Sequence, residues 1–212
     1  MTVDPSPPEF WLYGYGSLIW KPPPHFDTRI PGYVTGYVRR FWQASQDHRG
    51  TPEAPGRVVT LIERSYWEDI PDKVAEVKEY LDIREINGYS IHYAPFQPAD
   101  GSKPIRTLVY IGTPDNDQFV GPQDPQKLAE HIFHSQGPSG LNKDYLLNLD
   151  VALQGLASGS SDVHISDLAR RVRQLESICE DSAKVLNPTP PDREFRQEAS
   201  TKEAEEIERA TS

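Results

Sequence analysis

A chain of 212 residues, 36% of them hydrophobic, with a net charge of -10, is long enough for one domain with a real core. Its charge has the wrong sign for nucleic acid or anionic membranes, although a local basic pocket for a small anion stays open. A single cysteine, Cys179, excludes an intrachain disulfide and a cysteine-based zinc site, and no apolar run nears the ~18 residues of a membrane span.

Residues 1–9, with Pro5, Pro7 and Pro8, lack the basic and apolar pattern of a leader and read as a flexible N-terminus. The expected location is the cytoplasm, with the nucleus as the other choice. Phe10-Trp11-Leu12-Tyr13 predicts a short buried strand that stops at Gly14-Tyr15-Gly16-Ser17. A second strand is predicted over 33–42, with a bulge or bend at Gly36. Residues 43–56 read as a surface loop, and the β-branched run at 58–62 as a buried strand.

Asp72 can cap a helix whose apolar stripe is Val74, Val77 and Leu81, ended by Asn87-Gly88. Strands follow at 89–96 and 105–111, split by an Asp100-Gly101 turn. From Asp124 onward the period is helical: Leu128 with Ile132, then Tyr145, Leu149, Leu153 and Leu156, then Ile165, Leu168, Val172, Leu175 and Cys179. The domain is expected to span 10–186. The polar stretch 187–212 has almost no apolar residues and reads as a disordered tail. Strands first and helices later predict an α+β fold.

Two features carry chemistry. A strand ending in Gly14-x-Gly16-Ser17 exposes backbone N–H groups that suit a carboxylate or phosphate, or it is an ordinary turn. It is not the dinucleotide fingerprint, because Ile19 stands where the third glycine belongs and Pro22 blocks a helix. Glu85 lies four residues after Leu81, on the apolar stripe. Burial there raises the pKa of a carboxyl group and suits it to acid–base work near neutrality. The alternative is a frayed helix end at which Glu85 reaches solvent or pairs with Arg84.

Other groups point less clearly to chemistry. His131 and His134 have a metal-compatible spacing but no third ligand nearby, so no metal is expected. His48 sits in a loop. Ser17 is not in a nucleophile elbow. Arg39-Arg40 is too short to make a nucleic-acid patch.

Tyr13-Gly14-Tyr15-Gly16-Ser17-Leu18-Ile19-Trp20 resembles the substrate loop of the ChaC-type γ-glutamylcyclotransferases. The likeness continues, in order, through Arg40-Phe41-Trp42-Gln43, Asp47-His48-Arg49-Gly50, Pro55-Gly56-Arg57-Val58-Val59-Thr60-Leu61, Tyr80-Leu81-Asp82-Ile83-Arg84-Glu85, Asn87-Gly88-Tyr89, Tyr110-Ile111-Gly112-Thr113 and Gly137-Pro138-Ser139-Gly140.

The resemblance implies cleavage of glutathione to 5-oxoproline and cysteinylglycine without metal or cofactor. It assigns Gly14, Tyr15, Gly16, Ser17, Leu18 and Ile19 to substrate binding, Glu85 to catalysis, and Tyr145 to a lesser substrate contact. It also implies a small, mixed or antiparallel, barrel-like sheet with packed helices. This chain departs from the family where residues 63–70 lead almost directly to Pro71-Asp72, so one strand after Ile62 is expected to be absent. That departure keeps open an inactive γ-glutamyl-binding or regulatory protein, and cyclotransfer on other γ-glutamyl amines is a further alternative. Oligomeric state is not readable from the sequence.

Overall fold

Gly36 divides the first predicted long strand in two. In the computed structural model, which describes residues 9–64, 89–156, 160 and 162–186, β1 (Gly32–Val34) and β2 (Tyr37–Ser45) flank a turn in which Gly36 takes φ +83°. That left-handed conformation costs glycine nothing. The two strands then join different sheets, so the single strand expected at 33–42 is corrected to two. The sequence marks the bend, but the change of sheet is decided by distant partners.

One sheet has the order β1-β4-β5, with β4 (Ser90–Pro98) antiparallel to both β1 and β5 (Ile105–Ile111). β4 and β5 lie where the sequence predicts them, joined through Asp100-Gly101. In the other sheet β2 pairs antiparallel with β3 (Gly56–Glu63), with the register broken between Arg40 and Gln43. The Thr60 hydroxyl spans the two sheets, donating to the Gly112 carbonyl at 2.9 Å and accepting the Gly112 N–H at 3.0 Å. No closed barrel forms among the described residues. The predicted helix beginning at Asp72 and the strand expected to be absent after Ile62 lie outside the described residues.

The predicted first strand is also corrected. Tyr13 N–H donates to the Leu108 carbonyl at 2.9 Å, and Leu108 N–H to the Trp11 carbonyl at 2.8 Å. These bonds make one isolated parallel bridge at Leu12, and Phe10 is 72% exposed.

The helical periods hold through Val172, whereas Cys179, predicted on the last apolar stripe, is exposed because the helix has left the core there. Helix α1 (Pro125–His134) starts at Asp124, whose carboxylate accepts the N–H groups of Gln126 and Lys127, and it buries Leu128, Ala129 and Ile132. A hairpin of β6 (Gln136–Gly137) and β7 (Gly140–Leu141), too short to leave a periodic signal, leads into α2 (Asn142–Leu156). Asn142 is fully buried; its side chain accepts the Arg57 N–H and donates to the Arg57 carbonyl, both at 2.7 Å. Helix α3 (Val163–Leu186) buries Ile165, Leu168 and Val172.

The chain divides into two units, Met1–Leu175 and Glu176–Ser212. The core of the first gathers Phe41, Val109, Leu128, Ile132, Leu146, Leu149, Ile165, Leu168 and Val172, each no more than 1% exposed. Burying one such side chain contributes roughly 1.5–3 kcal/mol. In the second, the described residues are the end of α3, with Cys179 exposed and the Ser182 hydroxyl donating to the Ile178 carbonyl. Among the described residues no helix is long and apolar enough to cross a membrane.

Three stretches of backbone meet at glycines. A Cβ on Gly50 would stand 2.0 Å from the Gly56 nitrogen, one on Gly56 2.3 Å from the Arg49 carbonyl, and one on Gly137 2.4 Å from the Gly50 nitrogen. No side chain fits at those distances.

Candidate active site

Beyond its bridge to β5, the chain breaks at Gly14 and makes a single 3-10 turn at Ser17–Ile19. Ile19 N–H bonds to the Gly16 carbonyl at 3.0 Å, and Trp20 N–H to the Ser17 carbonyl at 3.1 Å. Tyr15 and Ile19 point inward, Ser17 is exposed, and Gly14 and Leu18 are half-buried. The Tyr15 hydroxyl donates to the Tyr110 carbonyl at 2.6 Å. Gly16 lies against α2 and β3: a Cβ there would stand 2.8 Å from the Tyr145 hydroxyl and 3.1 Å from Val59 Cγ2.

From Gly14 through Leu18, no backbone N–H meets an acceptor among the described residues. Backbone donors are normally paired. A run of them over a bend forms a concavity for an anion or a polarised carbonyl.

The Tyr145 ring is met edge-on by Trp20 at 5.5 Å and Phe41 at 5.8 Å, with the Arg49 guanidinium 5.6 Å from its centroid. Arg49 is 9% exposed and anchored by a bond to the Leu141 carbonyl at 3.0 Å. Burial pushes the Tyr145 hydroxyl well above the tyrosine range, with Tyr89 adding to the rise and Arg39 and Arg49 opposing it. Burial likewise raises Tyr15, helped by Tyr89 and Tyr145, and takes Tyr89 up to about 12, helped by Asp47. The three phenols stay protonated at neutral pH, beside two cations in a protein of net negative charge.

The loop is tied from behind by arginines. Arg39 Nε donates to the Tyr15 carbonyl at 2.7 Å, and Arg29 Nη2 donates to the Ile19 carbonyl at 2.5 Å. Arg39 Nη1 also pairs with Asp162 Oδ2 at 3.1 Å. Arg39 is a site residue the motifs do not announce, since Arg39-Arg40 reads from sequence only as a short basic pair. The signal available was a charge at the start of a strand whose later residues are all buried.

Of the sequence-predicted residues, the structure brings Gly14, Tyr15, Gly16, Ser17, Leu18 and Ile19 into one loop and sets Tyr145 beneath it. Glu85 lies outside the described residues. His131 Nε2 donates to the Pro55 carbonyl at 2.8 Å, a structural bond, and His48 is exposed beside the Ser139 hydroxyl at 3.1 Å. Among the described residues no three His, Cys, Asp or Glu side chains converge as metal ligands.

Comparison with known proteins agrees with this architecture. The family model for ChaC-like proteins matches residues 10–175. The glutathione-specific gamma-glutamylcyclotransferase of Schizosaccharomyces pombe is 42% identical, over 82% of this chain and 96% of that protein. Its namesake from Saccharomyces cerevisiae is 38% identical, over 72% of this chain and 88% of that one. A crystal structure of the yeast γ-glutamyl cyclotransferase specific to glutathione superposes with a TM-score of 0.66 at 34% identity, covering 78% of this chain and 96% of that one. A bent loop whose N–H groups meet no acceptor among the described residues, lying over a buried tyrosine, thus stands in a chain that belongs to the ChaC-like family.

Proposed function

We propose that the chain is a γ-glutamylcyclotransferase that cleaves glutathione into 5-oxoproline and cysteinylglycine, using residues 14–19 to hold the γ-glutamyl group and Glu85 to move the proton. The observation that carries the reading is the run of N–H groups from Gly14 to Leu18 that meet no acceptor among the described residues. Relatives named for this activity, at 38–42% identity, support it. The setting suits a cytoplasmic or nuclear protein.

The chemistry follows from the substrate. Its α-amine is mostly an ammonium at neutral pH and attacks nothing until it loses a proton. The Glu85 carboxylate takes that proton, and the amine closes a five-membered ring on the γ-carbonyl carbon. The carbonyl oxygen gains charge, which loop N–H groups stabilise. Glu85 then gives that proton to the cysteinyl nitrogen as the C–N bond breaks, and takes the second proton from the ring nitrogen, which attack had made cationic. The lactam is then neutral, and the departing amine leaves with the extra proton as an ammonium. Holding both ends of the γ-glutamyl group in one bend supplies the proximity the cyclisation needs. No water is consumed.

Incubation of the purified chain with glutathione and measurement of 5-oxoproline test this directly. Glu85→Gln, which keeps the shape and removes the base, is expected to lower turnover about 10²–10⁴-fold. An unchanged rate removes Glu85 from the role, and a folded protein that forms no product removes the activity.

A second reading is an inactive γ-glutamyl-binding or regulatory protein short of one strand after Ile62. The Schizosaccharomyces pombe alignment runs over 196 positions, more than the 82% of this chain it takes up, so that relative carries residues with no counterpart in this chain, as a lost strand would produce. Thermal stabilisation by glutathione without 5-oxoproline would identify this case. Side-by-side rates on other γ-glutamyl amines test the remaining alternative, a broader cyclotransferase.

A further inference from the structure

The loop whose N–H groups meet no described acceptor is oriented by a bond it accepts. In a trans peptide the carbonyl and the following N–H point in opposite directions. Arg39 Nε holds the Tyr15 oxygen toward β2 at 2.7 Å, so the Gly16 N–H is turned away from β2, where no described group accepts it. Donation into that oxygen also polarises the peptide and strengthens the Gly16 N–H as a donor.

Arg39 is itself fixed. It pairs with Asp162 at 3.1 Å, the two side chains being 12% and 18% exposed. The second oxygen of Asp162 accepts the N–H groups of His164 at 3.1 Å and Ile165 at 3.3 Å, capping α3. The direction of one loop peptide is therefore set by the start of a 24-residue helix whose Ile165 is fully buried. A planar guanidinium can serve the Tyr15 carbonyl and the Asp162 carboxylate at once, in fixed directions, and an ammonium cannot.

We propose that Arg39, set by Asp162, is a positioning residue for substrate binding, orienting the Tyr15–Gly16 peptide so that the Gly16 N–H donates to the γ-glutamyl group. This rests on residues 14–19 being the substrate loop.

The test compares Arg39→Lys, Arg39→Met and Asp162→Asn with the unaltered full chain, by initial rates of 5-oxoproline release and by amide spectra of glycine-labelled protein. Both Arg39 variants are expected to raise KM for glutathione about 10-fold or more while kcat changes less than about 3-fold. Asp162→Asn raises KM less and adds nothing to Arg39→Met. A merely structural loss would lower the folded fraction, and so the apparent kcat, and leave KM alone. The Gly16 amide resonance is expected to move upfield in its nitrogen dimension in both Arg39 variants. A KM within about twofold of the unaltered value in Arg39→Lys, or an unmoved Gly16 resonance, overturns the proposal. If Arg39→Met does not fold, Arg39→Lys, which keeps charge and stem, carries the test. Gly16→Ala separates the two levels. Unimpaired turnover there removes the substrate-loop reading and this proposal with it. Loss of turnover there with KM unmoved in Arg39→Lys overturns the role of Arg39 alone.

Discussion

The Tyr145 hydroxyl occupies the space a side chain on Gly16 would need, 2.8 Å from its Cβ position. Gly16→Ala must therefore displace either the loop or the tyrosine. Since Tyr145 is wedged between Trp20 and Phe41, the loop is the part that moves. We expect kcat/KM to fall about 100-fold, because displacement of loop donors by a fraction of an ångström is costly to binding and proximity alike. Adding Tyr145→Phe removes the hydroxyl and should return part of the loss, a coupling expected of side chains in contact. Steady-state kinetics of the two single variants and the double variant measure it.

Asn142 acts as a piece of strand for Arg57, supplying one donor and one acceptor at 2.7 Å each. Asn142→Leu leaves a backbone N–H and a carbonyl of β3 without these partners inside the protein. The expected cost is about 2–4 kcal/mol, from two backbone groups left unsatisfied where the fully buried Asn142 side chain met them. Urea unfolding should show a lower midpoint at unchanged slope.

His164 links stability to pH. Its Nε2 accepts the Phe41 N–H at 3.1 Å, so the bonded form is neutral. Burial, with Arg40 assisting and Asp162 and Asp167 opposing, lowers its pKa from 6.5 to about 4. Between these values the unfolded chain binds the proton and the folded one does not. The contribution is whole above pH 6.5 and is lost as the pH falls towards 4, up to about 3 kcal/mol. His164→Gln retains an acceptor and cannot titrate. Thermal melts across this range should show a flatter profile for it than for the unaltered chain.

The tyrosines impose the opposite limit. Tyr89 is raised by burial to about 12, and Tyr15 and Tyr145 also lie well above 10. The unfolded chain releases these protons first, so their contribution is intact below pH 10 and lost as the pH rises beyond it. An absorbance titration should find these three phenols protonated in the folded protein at pH 11, ionising together when it unfolds.

The helices and the β4–β5 hairpin were legible because each buries a stripe set by its own period. Leu128 and Ile132 on α1, and Ile165, Leu168 and Val172 on α3, are buried as spaced. The division of residues 32–45 was not legible, since it depends on Val34 meeting Phe96 while Arg39 meets Leu61. Phe10 misled for a similar reason: an aromatic run predicts burial only where a second surface exists to cover it. Within the site, motif and glycines pointed to residues 14–19, whereas the local pattern marks Arg39 only as a charge entering a buried strand and does not say which distant carbonyl it meets. Helical phase put Glu85 on an apolar stripe in a segment outside the described residues, so its placement still rests on that phase.

The meeting of Gly50, Gly56 and Gly137 changes how the recognisable blocks of this sequence should be weighed. Asp47-His48-Arg49-Gly50, Pro55-Gly56-Arg57 and Gly137-Pro138-Ser139-Gly140 stand apart along the chain, yet they share one crossing of bare backbone. The glycine of each is required because nothing larger than hydrogen fits there, a demand of packing. An enlarged residue at any of the three should damage the same assembly, so such variants would report one folding defect rather than three separate functions.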